Sequence, residues 1–108
     1  MPDSKLSDIR KWREEIDRLD LELLRLLNKR AQCAIEIGKI KRTQKLPIYD
    51  PRREEDVIRM TLEENPGPLD NEGVRRLFER IIDESRRIER TTAERQLVSV
   101  KDSKLGKL

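Results

Sequence analysis

Residues 12–41 read WREEIDRLDLELLRLLNKRAQCAIEIGKIK. Apolar residues return every three or four positions here, at Trp12, Ile16, Leu19, Leu23, Leu26, Cys33, Ile37 and Ile40. Ile9 extends the series towards the N-terminus. That spacing predicts one amphipathic helix from about Leu6 to Thr43, with Ser4 or Ser7 as its cap. Pro47 forces its predecessor out of helical geometry and is expected to break the pattern.

Working outward, Asp50-Pro51 opens a second helix, because Asp caps well and Pro suits the first helical position. It is expected to reach about Glu64, with Val57, Ile58, Met60 and Leu62 as its apolar content. Asn65-Pro66-Gly67-Pro68 is a turn. Asp70 is expected to cap a third helix carrying Val74, Leu77, Phe78, Ile81, Ile82 and Ile88 on one stripe. That helix is expected to fray after about Arg90. The fold class is therefore all-α, with three helices and a long first one. Residues 1–90 form one helical domain, and 91–108 a flexible polar tail or the start of a linker.

Composition narrows the function. Of 108 residues, 44% are charged and 34% hydrophobic, a thin core for a monomer of this size and a reason to expect a partner subunit. Aromatics are 3%, too few for a base-stacking platform. The net charge of +3 is spread over interspersed signs, so nucleic acid is a weak candidate partner. The chain has no His, the commonest general base and metal ligand, and its single Cys33 cannot form an internal disulfide. No apolar run has membrane length. The expectation is a soluble, cytoplasmic protein without a metal.

The informative residues are those that break the apolar pattern. In heptad terms, positions 9, 16, 23, 30 and 37 form one seam, and position 30 is Arg. The neighbouring row 13, 20, 27, 34 and 41 reads Arg, Asp, Leu, Ala, Lys. Arg13, Arg30 and Lys41 thus lie on or beside the apolar face, and each needs an anion if buried. They either snorkel to water and pair with Asp20, Asp50 or Glu54, or they share an anionic ligand. Arg30 and Lys41 are 11 residues apart, about 16 Å along the axis and near one face. Arg13 lies 28 residues from Lys41, roughly 42 Å on a straight helix, so only an antiparallel partner helix would bring it to the same ligand. On the third helix Ser85 and Glu89 sit four apart on the apolar stripe, as a stripe edge or as ligands. Asp50, Arg53 and Glu54 share the first turn of the second helix, where Asp50 also serves as a cap and Glu54 as a favourable charge.

Three stretches, WREEIDRLDLELLRLLNKRAQCAIEIGKIK, LPIYDPRREEDVI and NPGPLDNEGVRRLFERIIDESRRIE, together resemble the all-helical class of chorismate mutases. The resemblance covers roughly residues 6 to 90. It rests on the ordered set R-x2-ID-x2-D, LL-x2-R, IGKIK, YDP-x-RE and LF-x2-II-x2-S-x3-E. It implies an intertwined antiparallel homodimer that rearranges chorismate to prephenate without cofactor, metal or covalent intermediate. Arg30 and the partner's Arg13 would hold the two carboxylates, for which the planar guanidinium fork is suited. Lys41 would donate to the ether oxygen, and Asp50 and Glu54 would orient the ring hydroxyl. Ser85 would bind the ring carboxylate, and Arg53 would support the site. Glu89 stands where some members have Gln; it donates to the ether oxygen only when protonated. The catalytic set implied is Lys41, Glu89 and Arg30. The rearrangement needs neither base nor nucleophile, in keeping with a chain without His; its demands are a compact conformer and donors at the ether oxygen. Competing readings are an isochorismate pyruvate lyase, which shares the fold and substrate class, a non-enzymatic helical dimerisation module, and a nucleic-acid binder.

Overall fold

The structure is a computed structural model that describes the backbone of residues 2–105 and the side chains of residues 4–92. Three helices follow in order: α1, Pro2–Thr43; α2, Pro51–Glu64; and α3, Asn71–Leu105. No strand occurs among the described residues.

α1 begins four residues earlier than its apolar pattern, at Pro2. A proline fits the first helical turn because its missing N–H has no intrahelical acceptor there. Ser4 and Ser7 accordingly lie inside the helix, not before it. The other end closes at Thr43, as the periodicity requires, but Pro47 does not make the stop. Leu46 N donates to Lys41 O at 2.7 Å and Lys45 N to Arg42 O at 3.3 Å. Lys45 takes the left-handed conformation, φ 58°. This is a Schellman closure with Lys where glycine is usual.

α2 is capped as expected: Asp50 Oδ1 accepts from Arg53 N at 3.1 Å, and Pro51 follows. In the α2–α3 turn, Asn65 Oδ1 accepts from Gly67 N at 3.0 Å, while Asn65 Nδ2 donates to Leu69 O and Asn71 Oδ1, both at 2.9 Å. Gly67 has φ +75°, a conformation side chains disfavour. Asp70 caps α3 by accepting from Gly73 N at 2.7 Å.

The expected fraying of α3 after Arg90 is not what the structure shows, since the helix continues to Leu105. Its apolar stripe lapses after Ile88, but Ala93, Glu94, Arg95, Gln96 and Leu97 favour helix, and no Gly or Pro interrupts before Gly106. Residues 106–108 of the expected tail lie outside the described residues.

The described structure divides into two units, one up to Gln32 and one from Cys33 onward. The first is the part of α1 up to Gln32. Its face is open: Ile9, Trp12, Ile16, Leu19, Leu23 and Leu26 are each 46–63% exposed. Its polar side carries the solvated Glu15–Arg18–Glu22 ladder, in which Arg18 hydrogen-bonds Glu15 and holds that carboxyl below the usual range. The second unit contains the end of α1, α2 and α3. Its buried apolar set comprises Ala34, Val57, Val74 and Ile82, and Glu89 is buried beside them.

Candidate active site

Within the second unit one point brings α1 and α3 into close approach. It is Gly38. A Cβ there would meet Glu89 Cα and Cβ at 3.3 Å and Glu89 O at 3.4 Å, so the missing side chain allows the two backbones to touch. One turn further along α1, Lys41 Nζ lies 3.3 Å from Glu89 Oε2 and donates to Ile48 O at 2.9 Å. The two side chains are 18% and 10% exposed. The pair is thus largely removed from water, where charges interact strongly and an unpaired one is costly. An ammonium held between a carboxylate and a carbonyl still has a third N–H to offer.

The other expected residues differ in burial and in what they bind. Glu54, half-buried on the first turn of α2, faces Arg86 of α3, with Arg86 Nε 3.2 Å from Glu54 Oε2. Asp50 is exposed and engaged as the α2 cap through the backbone of Arg53, whose own side chain is exposed. Ser85 is half-buried, and its Oγ donates to Ile81 O at 3.0 Å, one turn back along α3. Arg13 and Arg30 belong to the first unit, where Arg13 is exposed and Arg30 half-buried. So Lys41 meets Glu89 directly, and Asp50 and Glu54 share one helical turn.

A groove of about 500 Å³ runs between α2 and α3. Tyr49, Glu54, Ile58, Leu62, Ile82 and Asp83 are among its lining residues; Lys41 and Glu89 are not. Of the candidate site residues singled out in the sequence, Glu54 alone borders it. Among the described residues no cluster of His, Cys, Asp and Glu is arranged to hold a metal ion. No helix among them is long and apolar enough to cross a membrane.

Two contributors escaped the sequence reading. Gly38 carried a signal, since it is the single glycine inside α1 and a glycine in a helix interior costs stability unless close packing requires it. Arg86 carried none, because Tyr49 and Glu54, the partners that tie it to the site, lie outside α3.

The fold and the charged cluster define a small all-helical protein with an enclosed Lys41–Glu89 pair. Comparison with known proteins makes this specific. The family chorismate mutase type II matches residues 12–90. A bifunctional chorismate mutase/prephenate dehydratase of Neisseria gonorrhoeae is 46% identical over 78 residues, which are 72% of this chain and 21% of that protein. One from Aquifex aeolicus is 40% identical over 81 residues, 71% of this chain and 22% of its own length. The chain thus spans about a fifth of the length of these curated relatives. Among solved structures, form II of the chorismate mutase from Thermus thermophilus superposes with a TM-score of 0.75 at 41% identity, covering 76% of this chain and 93% of that one. Form I of the same enzyme gives 0.70 at 43% identity, covering 71% and 96%. The chain belongs to the chorismate mutase type II family, an all-helical family of isomerases.

Proposed function

We propose that this chain catalyses the rearrangement of chorismate to prephenate, in the cytoplasm, as a homodimer whose catalytic domain is residues 1–90. The supporting observation is the enclosed Lys41–Glu89 pair at the Gly38 contact. In the rearrangement a carbon–oxygen bond breaks while a carbon–carbon bond forms, and negative charge grows on the ether oxygen. A preorganised ammonium at that oxygen stabilises the transition state more than the ground state. Glu89 adds a second donor when protonated; when ionised it competes for Lys41. Arg30 and Arg13 of the partner subunit hold the two carboxylates, Ser85 assists at the ring carboxylate, and Asp50 and Glu54 orient the ring hydroxyl, with Arg53 in support. No cofactor or metal enters these steps.

The dimer is supported by the open face of α1. Six large apolar side chains about half exposed along one helix are a face that a second copy would cover. A self-complementary antiparallel pairing would make two equivalent sites.

The test is an absorbance assay of chorismate loss with identification of the product, run beside isochorismate. Prephenate from chorismate is the expected result. Pyruvate release from isochorismate, with chorismate untouched, would assign the chain to the lyase reaction instead.

A further inference from the structure

Arg86 stands on the α3 stripe that also carries Ile82 and Glu89, both buried. Its side chain is 29% exposed and is held on several sides. Nη2 donates to Asp83 Oδ1 at 2.7 Å. The guanidinium carbon lies 5.2 Å from the centroid of the Tyr49 ring, within cation–π range. Nε lies 3.2 Å from Glu54 Oε2 but off the line a hydrogen bond needs, so this buried N–H has no hydrogen-bond acceptor. A buried donor left unmet is costly, and an acceptor a small rotation away is the natural means of meeting it. Glu54, 25% exposed, is that acceptor.

A glutamate has three rotatable bonds, and on the first turn of α2 nothing from its own helix fixes the carboxylate. The planar guanidinium of a neighbouring helix does so, because its donors are set in one rigid fork. Tyr49 and Asp83 in turn fix the guanidinium. We propose that Arg86 is a positioning residue of the site: it holds the Glu54 carboxylate aimed to accept the hydrogen of the substrate's ring hydroxyl, and so sets the preference for a hydroxylated ring. This rests on the proposed mutase reading, in which Glu54 meets that hydroxyl. Arg86 itself touches no substrate.

The experiment compares kcat and KM of wild type, Arg86→Met, Arg86→Lys and Glu54→Gln on chorismate and on an analogue lacking the ring hydroxyl, with a thermal melt of each variant. Arg86→Met is expected to lose roughly tenfold or more in kcat/KM on chorismate, on the scale of a misaligned contact, and little on the analogue. Glu54→Gln should show the same substrate-selective loss, and the double variant should fall no further than Glu54→Gln alone. Arg86→Lys, which keeps charge but not the fork, should lie between. An equal loss on both substrates, or additive losses in the double variant, would make Arg86 merely structural and overturn the inference, as would no loss at all. Should Arg86→Met fail to fold, the Arg86→Lys ratio between the two substrates decides by the same criterion. A wild type that turns over neither substrate defeats the mutase reading as well, whereas a fully active wild type with an indifferent Arg86 removes this inference alone.

Discussion

On α1 before Gln32, Trp12 is 63% exposed and Ile16 53%, whereas Glu89 on α3 is 8% exposed. The first unit presents oil to water; the second encloses charge. Each arrangement is unfavourable alone, and the two have different remedies. An apolar stripe is relieved by any matching stripe, so a second copy suffices. An enclosed ion pair is relieved only by a group of opposite charge at the right distance, so it is selective for what else enters. The contrast teaches that the first unit speaks of assembly and the second of chemistry.

The strongest way to break the comparison is at Lys41. Lys41→Ala should lower kcat by roughly a hundredfold to a thousandfold, about 3–4 kcal/mol of lost transition-state stabilisation, and should lower Tm as well because Glu89 is left enclosed without its partner. An active Lys41→Ala would show that the enclosed pair is structural. Next comes the assembly. Arg13→Ala and Arg30→Ala should each be poorly active, yet mixing them by unfolding and refolding together should restore one intact site in each heterodimer. Recovery of roughly a quarter of wild-type activity is expected for random pairing; none would mean that both arginines serve a site in the same chain, or none.

A smaller effect sharpens the chemical half. Glu89→Gln replaces the carboxylate that holds Lys41 with an amide of the same shape that can donate, whereas Glu89→Leu leaves no polar group there. Glu89→Gln should keep kcat within roughly tenfold of wild type and Glu89→Leu should lose more. Equal kcat in the two variants would remove position 89 from the donor set.

The legible and illegible features divide along physical lines. Asp50-Pro51 and Asp70 carry local signals for helix starts, and both caps are where those signals put them. The three-four spacing of α1 was enough for its existence and its end at Thr43. α3 was legible only as far as its apolar stripe. Beyond Ile88, continuation to Leu105 depends on propensity without periodicity, which a search for stripes misses. Lys41 and Glu89 were marked by their sequence context, but their meeting depends on Gly38 and on how two helices pass. Asp83, three residues before Arg86, was open to a local rule, but Tyr49 and Glu54 lie at sequence separations no local rule connects, so the role of Arg86 was invisible.

Lys45 is the finest test, because it belongs to the second unit yet is neither apolar nor part of the charged cluster. It holds a left-handed conformation, φ 58°, that closes α1 directly after Lys41. For a residue with a Cβ this conformation costs of order 1 kcal/mol, which glycine avoids. Glycine also has more freedom to lose on folding, and that offsets part of the gain. Lys45→Gly should therefore raise stability by about 0.5 kcal/mol and Tm by a few degrees, measured at one protein concentration because a dimer's Tm depends on it. Activity should stay at the wild-type level, since Leu46 N still bonds Lys41 O and the helix end keeps its shape. A fall in kcat with a higher Tm would show instead that the lysine side chain reaches the site, and the charge-bearing half of the molecule would then extend past the end of α1.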